Sequence, residues 1–83
     1  MINVVLYTKE GCGLCAEVKQ DLTRLQAAYP HRLAEVDITG DPALLARYRY
    51  TIPVVRVGDI ELQAPVTAAQ LEAALAAASG GGG

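Results

Sequence analysis

The sequence predicts one α/β domain in which three helices flank a four-stranded mixed sheet, with the elements in the order βαβαββα. Its 83 residues are enough for a single hydrophobic core, and 52% of them are apolar while 19% are charged, as in a typical globular protein. Two patterns set the order of the elements. Strand-like and helical patterns of apolar residues alternate along the first half, and a hairpin signal precedes a capped helix in the second half.

The first half of the chain is predicted to form a strand, a helix and a parallel strand. Residues Ile2 to Tyr7 are mostly β-branched, aliphatic or aromatic, which is typical of a buried strand. From Cys12 to Pro30 apolar residues recur at helical spacing, and from His31 to Ile38 a weaker alternation indicates a second strand. Because a helix connects the two strands, we expect them to be parallel. His31 follows the proline in a turn, so we expect its side chain to be exposed.

The second half begins with a short helix and continues with a hairpin. Asp41 followed by Pro42 is typical of an N-cap and a first helical position, and the helix is predicted to continue to about Tyr48. Two strand-like runs, Ile52 to Val57 and Ile60 to Gln63, are separated by a Gly-Asp dipeptide. This close spacing predicts an antiparallel pair joined by a tight turn.

The last helix is predicted from Ala68 to about Ala78. Thr67 and Gln70 have the spacing of a capping box, in which each side chain bonds the backbone amide of the other residue. Val66 and Leu71 stand at the positions of a hydrophobic staple across that cap. This helix is expected to cover one face of the sheet.

Composition and charge exclude several classes of function. Seven basic residues against nine acidic ones give a net charge of -2, and no basic block is present that could neutralise a phosphate backbone. No apolar run approaches the roughly 20 residues of a membrane-spanning helix, and the N-terminus lacks the pattern of a signal peptide. We therefore expect a cytoplasmic monomer that binds neither nucleic acid nor membranes. Residues 1–78 are assigned to the domain, and the glycine-rich segment 79–83 to a flexible tail.

The feature that carries chemistry is the Cys-x-x-Cys motif formed by Cys12 and Cys15, the only cysteines of the chain. A bridge over so short a loop constrains the unfolded chain very little, so the pair is a poor structural crosslink. The motif begins the first predicted helix, where unpaired amides and the helix dipole favour a thiolate at Cys12, and Lys9 adds positive charge. Cys15 lies one turn further, which suits a more shielded, resolving thiol.

Two other interpretations of this motif stay open at the level of residues. The cysteines could form an ordinary buried pair, since free cysteine behaves as a small apolar residue. They could also supply two ligands to zinc or copper(I), but a closed zinc site needs two more ligands and His31 is the only histidine. One chain therefore cannot complete a zinc site, whereas copper(I) or a cluster shared between two chains stays open, and we assign no metal ligands.

The segment from Val4 to Lys9, followed by the two cysteines, resembles the opening of a glutaredoxin. The run Thr51, Ile52 and Pro53 resembles the Thr-Val-Pro segment of the same family. The resemblance extends over residues 2–78 and implies a thioredoxin-like fold of the glutaredoxin type. It also implies that the peptide bond before Pro53 is cis, although most X-Pro bonds in folded proteins are trans.

The same resemblance implies which residues bind the substrate: Lys9, Thr51, Ile52 and Pro53. In particular, the backbone of Ile52 would be free to pair with an extended peptide or with glutathione as an added strand. The chain departs from glutaredoxins at Gly13-Leu14, where they have Pro-Tyr, and in the stretch 62–67, which lacks their Gly-Gly and acidic pair. The resemblance therefore does not extend to the usual glutathione site. With its Cys-x-Leu-Cys centre, the chain looks like the small bacterial glutaredoxin-like proteins.

The sequence thus predicts a thiol–disulfide oxidoreductase that reduces protein disulfides or glutathione mixed disulfides through Cys12 and Cys15. No organic cofactor is needed, and glutathione is a candidate reductant or co-substrate. The alternatives are a copper(I) metallochaperone and a non-catalytic module whose thiols anchor a partner. Tyr7 is expected either beside the thiols or in the core. Three arginines are candidates for attracting a glutathione carboxylate: Arg47, Arg49 and Arg56.

Overall fold

A computed structural model describes residues 1–80 and contains the seven elements in the expected order. They are β1 (Ile2–Thr8), α1 (Gly13–Leu25), β2 (His31–Asp37), α2 (Pro42–Tyr48), β3 (Val54–Val57), β4 (Ile60–Gln63) and α3 (Ala68–Gly80). A short 3₁₀ turn, Ile38–Gly40, precedes α2. Within the described part of the chain, no helix has both the length and the apolar character needed to cross a membrane.

The sheet has the strand order β2-β1-β3-β4. Strands β1 and β2 are parallel, as the connecting helix requires, whereas β3 runs antiparallel to β1 and to β4. Tyr7 near the end of β1 lies opposite Val54 at the start of β3, and Val4 lies opposite Val57. The loop after β1 and the residues before β3 are therefore at the same end of the sheet.

Helices cover both faces of the sheet. Val4 and Leu6 of β1 point to the face that α1 and α3 cover, where Leu22 and Leu75 are fully buried. Tyr7 points to the opposite face and packs with Tyr48 of α2. The alternation of side chains along β1 thus supplies both cores, because successive residues of a strand face opposite sides.

The predicted helix caps are confirmed. The Ala43 N–H donates to Asp41 Oδ1 at 2.9 Å at the start of α2. Before α3, the Thr67 N–H donates to Gln70 Oε1 at 2.9 Å, and the Gln70 N–H donates to Thr67 Oγ1 at 3.1 Å. Both caps bond amides that the first helical turn cannot bond itself, which fixes where the helices begin.

The 3₁₀ turn after β2 has no counterpart in the predicted elements. The Thr39 N–H and the Thr39 hydroxyl both donate to Asp37 Oδ1, at 2.9 and 2.6 Å. These hydrogen bonds, first from the side chain and then from the backbone, lower the pKa of Asp37 below its usual range. Asp37 is therefore a capping residue at the end of its strand.

Three predicted boundaries differ from the structure by two residues or more. Helix α1 ends at Leu25, before the predicted end near Pro30, and Gln26 follows as its C-cap. Strand β3 begins only at Val54, because the preceding proline has no N–H for the ladder. Helix α3 continues through Ser79 and Gly80, which had been assigned to the tail; the rest of that tail, 81–83, lies outside the described residues.

The expectation that His31 is exposed is wrong. Its side chain is only 5% exposed, and it opens β2 opposite Ile2. The ring Nδ1 of His31 lies 2.7 Å from the Tyr29 carbonyl oxygen, and the backbone N–H of His31 donates to Gln26 Oε1 at 3.0 Å. Since the helix ends early, the residues after Leu25 turn back and cover the histidine instead of leaving it in an open turn.

We expect Leu22→Ala to lower the free energy of unfolding by about 2–5 kcal/mol, because it removes a fully buried side chain between α1 and the sheet. Leu14→Ala makes the same change on the same helix at a side chain that is 57% exposed, and should change the value by less than about 0.5 kcal/mol. Urea unfolding of the disulfide form measures both. Equal losses in the two variants would contradict the assignment of the core.

We expect the stability of the protein to fall above about pH 10 partly through Tyr48. Burial, and secondly the Glu61 carboxylate, raise the pKa of Tyr48, so the folded state favours the neutral phenol. The stabilisation that this raised pKa gives to the folded state is complete below the unfolded-state pKa of the tyrosine. It is lost as the pH rises past the folded-state pKa. Between pH 9 and 11, the free energy of unfolding should therefore fall less steeply in Tyr48→Phe than in the wild type.

Tyr50→Phe is the matched control, because Tyr50 is 87% exposed. It should keep the wild-type pH dependence in the same urea titrations. Parallel pH profiles for the wild type and Tyr48→Phe would show that the buried phenol does not couple folding to pH.

Candidate active site

The loop between β1 and α1 positions the first cysteine. Gly11 has a φ of 81°, a conformation that glycine adopts readily, and the Cys12 N–H donates to the Lys9 carbonyl at 3.3 Å. The chain therefore turns sharply after β1. Cys12 follows with extended backbone angles, φ -88° and ψ 102°, as the N-cap residue of α1, and Cys15 lies in the first turn.

The sulfur of Cys12 acts as the helix cap. The Cys15 N–H donates to Cys12 Sγ at 3.2 Å, as an N-cap serine or aspartate oxygen would accept from the same position. In the structure the two cysteines form a disulfide, with their Cα atoms 5.3 Å apart. After reduction, the same amide and the positive end of the helix dipole would favour a thiolate at Cys12.

The two cysteines differ in accessibility. Cys15 is only 3% exposed, whereas Cys12 is partly exposed and is followed by the exposed Gly13. A disulfide on another molecule can therefore reach Cys12 far more easily than Cys15. This difference suits the two roles of an attacking thiolate and a resolving thiol.

Pro53 lies at the same end of the sheet as the cysteines. The Ile52-Pro53 peptide bond is cis, as the resemblance implies. Pro53 precedes Val54, which pairs with Tyr7, so the register places it beside the loop that leads to Cys12. Pro53 is buried and lines a groove together with Leu14, one of the two residues between the cysteines.

The two residues before Pro53 are held by hydrogen bonds to the end of α2. The Thr51 and Ile52 N–H groups donate to the Tyr48 carbonyl at 2.9 and 3.1 Å, and the Ala64 N–H donates to the Thr51 carbonyl at 3.2 Å. The Ile52 N–H is therefore already bonded, contrary to the expectation of a free backbone. The Ile52 carbonyl accepts no hydrogen bond from residues 1–80.

The remaining candidates lie at different places. Lys9 is exposed in the loop that precedes Cys12. Tyr7 stacks on Tyr48, with 4.5 Å between ring centroids and 24° between the planes, and both belong to the core between the sheet and α2. Of the two positions expected for Tyr7, the structure therefore gives the one in the core.

The three arginines do not converge on the disulfide. Arg56 forms an ion pair with Glu61 at 3.5 Å. Arg47 lies over the Tyr48 ring at 5.3 Å, and Arg49 lies over the Tyr50 ring at 5.1 Å. Each guanidinium thus already has a neighbour on its own element or on the next strand, and the expectation that they attract a glutathione carboxylate gains no support.

Next to the disulfide is a groove of about 500 Å³ between α1 and the loop that follows β4. Sequence reasoning missed this groove. Helical spacing places Leu14, Glu17 and Asp21 on one side of α1, but their opposite wall consists of loop residues distant in the chain. That wall includes Pro65, whose peptide bond with Ala64 is also cis and had no signal in the sequence.

Within the part of the chain that the structure describes, no cluster of three or more His, Cys, Asp or Glu side chains is suitable for a metal ion. The two candidate metal ligands of the sequence, Cys12 and Cys15, would bind a metal through their sulfurs. Cys12 and Cys15 would be free to do so only in the reduced state.

Comparisons with known proteins agree with this geometry. A family model described as a glutaredoxin-like domain, DUF836, matches residues 3–76. The comparison with curated proteins gave no match. Among solved structures, target protein XcR50 from X. campestris is 31% identical over 89% of this chain and 96% of its own, with a TM-score of 0.77. Protein Ne2328 from Nitrosomonas europaea is 29% identical over 87% and 88%, with a TM-score of 0.73.

A more distant similarity identifies the fold. Oxidised mitochondrial thioredoxin 3 from Saccharomyces cerevisiae is 22% identical over 89% of this chain and 76% of its own, with a TM-score of 0.67. The shared architecture is the mixed four-stranded sheet with its helices, so the predicted thioredoxin-like fold is confirmed. Since the family match covers nearly the whole described sequence, this chain belongs to the glutaredoxin-like domain family DUF836.

Proposed function

We propose that the protein is a thiol–disulfide oxidoreductase that reduces disulfides of partner proteins. The observation that carries this proposal is the arrangement of Cys12, an accessible sulfur that caps α1, over the buried Cys15 in the same helical turn. Membership of a glutaredoxin-like family supports it. The strand register places the loop of Pro53 beside the loop of the pair, which brings the expected binding residues to the same end of the sheet.

In the proposed reaction, the reduced protein loses two electrons and two protons to the substrate. The Cys12 thiolate attacks one sulfur of the substrate disulfide, the substrate S–S bond breaks, and the departing thiolate takes up a proton. Cys15 then loses its proton and attacks the Cys12 sulfur of the mixed disulfide. The Cys12–Cys15 bond forms, and the second substrate sulfur leaves as a thiol.

The neighbouring residues have proposed binding roles. The Ile52 carbonyl would accept a hydrogen bond from the backbone of an extended substrate, and Thr51 and Pro53 would hold that carbonyl in place. Lys9, which lies in the loop three residues before Cys12, would stabilise the attacking thiolate or bind an acidic group of the substrate.

We also propose that the oxidised protein is returned to its dithiol form by glutathione or by a reductase. Either supplies the two electrons and two protons that the substrate has taken, so no bound organic cofactor is needed. A monomer acting in the cytoplasm would suit this cycle, since a reducing compartment keeps the dithiol available.

The single-cysteine variants test this mechanism. Cys15→Ser should accumulate a mixed disulfide between Cys12 and a protein disulfide substrate such as insulin, because no thiol remains to resolve it. Cys12→Ser should form no adduct, since the remaining thiol is buried. Intact mass after acid trapping distinguishes the two.

Two alternatives predict other outcomes. A non-catalytic module that anchors its partner would bind through Cys12 and show no turnover in the wild type. A copper(I) chaperone would form no adduct with disulfides but would bind one equivalent of copper(I) only with both thiols present. An adduct on Cys12→Ser but not on Cys15→Ser would overturn the assignment of roles.

Equilibration with mixtures of reduced and oxidised glutathione measures the redox chemistry directly. We expect the wild type to lose two hydrogens with a midpoint between roughly -270 and -120 mV, the range of dithiol oxidoreductases. An added glutathione mass would show that glutathione is also a substrate. If neither species formed across the series, the proposed redox function would be wrong.

A further inference from the structure

The groove beside the disulfide runs along one side of α1. Leu14, Glu17 and Asp21 line it at helical spacing, with Val18 below them. Asp21 lies seven positions after Leu14, which corresponds to about 10 Å of helix at about 1.5 Å per residue. The groove therefore begins at the Cys-x-x-Cys motif and leads away from it.

The wall at the disulfide end is apolar. Leu14 is 57% exposed, unusually so for a large apolar side chain of this protein, and it faces Pro53, Pro65 and Val66 across the groove. An apolar surface of this kind, next to a reactive sulfur, suits the side chain and backbone of an extended peptide rather than a strongly hydrated ion.

The groove also carries negative charge, from Glu17 in its middle and from Asp21 at its far end. Asp21 forms an ion pair with Arg24 of the same helix, which offsets its charge. Glu17 forms no ion pair with any residue in the range 1–80, and the nearest lysine on the helix, Lys19, pairs with Glu35 at 3.1 Å. A cationic group entering the groove would therefore meet the Glu17 carboxylate, whereas an anionic ligand would be repelled.

We propose that this groove binds the segment of a partner protein that flanks its reactive cysteine, and that Glu17 selects a lysine or arginine two or three residues from that cysteine. The inference rests on the proposed thiol–disulfide exchange and specifies its substrate class. Glu17 lies five positions after Cys12, which is about 7.5 Å along a helix that rises about 1.5 Å per residue. An extended chain advances about 3.3 Å per residue, so two or three of its residues cover that distance. Leu14 and Pro53 would contact the partner's residue that lies between its cysteine and its basic residue.

The test compares peptide disulfides that differ only in charge. Each peptide is acetylated and amidated, has a central cysteine, and carries either lysine or glutamate three residues away on both sides, which removes the question of chain direction. The reduced protein is mixed with the symmetric disulfide of each peptide. Acid quenching and intact mass then give the rate at which Cys12 and Cys15 become oxidised.

The measured quantity is selectivity, the rate with the lysine peptide divided by the rate with the glutamate peptide. The same ratio is measured with dithiothreitol in place of the protein. Dividing by it removes the effect that each peptide's charge has on the reactivity of the peptide's own disulfide. We expect the wild-type selectivity at low salt to exceed that of Glu17→Lys by about fivefold or more, with Glu17→Gln between them. Added salt of about 0.5 M should remove most of the difference.

Asp59→Lys is the matched control, since it makes the same change in net charge in the β3–β4 turn. The register of β1 and β3 places that turn at the opposite end of the sheet from Cys12. This variant should keep the wild-type selectivity. If it lost selectivity as Glu17→Lys does, overall charge rather than the groove would be responsible, and the inference would be wrong.

The two proposals can fail separately. Oxidation by both peptides with equal selectivity in the wild type and Glu17→Lys would overturn the groove specificity and leave the oxidoreductase proposal standing. If no peptide disulfide, nor the uncharged bis(2-hydroxyethyl) disulfide, oxidised the wild type, the proposed function and the inference would both fall. A wild-type preference for the glutamate peptide would reverse the assigned charge and refute the role of Glu17.

Discussion

The antiparallel pairing of β1 with β3 brings the parts of the candidate site together. Cys12 and Pro53 are far apart in the sequence, but Tyr7 opposite Val54 sets their loops side by side. The register is well determined because β1 packs different side chains into two separate cores, Leu6 into one and Tyr7 into the other. A slip by one residue would exchange the two faces and misplace both cores at once. The geometry at the disulfide therefore depends on packing throughout the sheet.

The difference between the two cysteines follows from their positions in one helix. A residue at the N-cap lies outside the helix and remains partly exposed, whereas a residue three positions later is turned toward the sheet. The same geometry directs the Cys15 amide at Cys12 Sγ. The accessibility of Cys12 and the closeness of its sulfur to the Cys15 N–H thus have a single origin in the start of the helix. The same N–H would stabilise a thiolate at Cys12 without a further charged residue.

Features that depend on adjacent residues could be predicted from the sequence. The Asp41 cap, the Thr67–Gln70 capping box and the placement of the cysteines at a helix start all involve groups within three residues of one another. Features that depend on distant contacts could not. The burial of His31 depends on where α1 ends and on pairing with β1, and the bonded Ile52 N–H depends on how α2 ends. Only the family resemblance indicated the cis bond at Pro53, because local statistics favour trans.

The Cys12–Cys15 disulfide joins a helix cap to the first turn of the same helix, so it crosslinks no two elements of the fold. The bond therefore contributes nothing to strand pairing and closes only a very short loop in the unfolded chain. In the proposed exchange, formation and cleavage of the bond would leave the pairing of the strands in place. A partner would consequently encounter almost the same surface before and after exchange, apart from the sulfur atoms themselves, and product release would depend on breaking the mixed disulfide rather than on a change of shape.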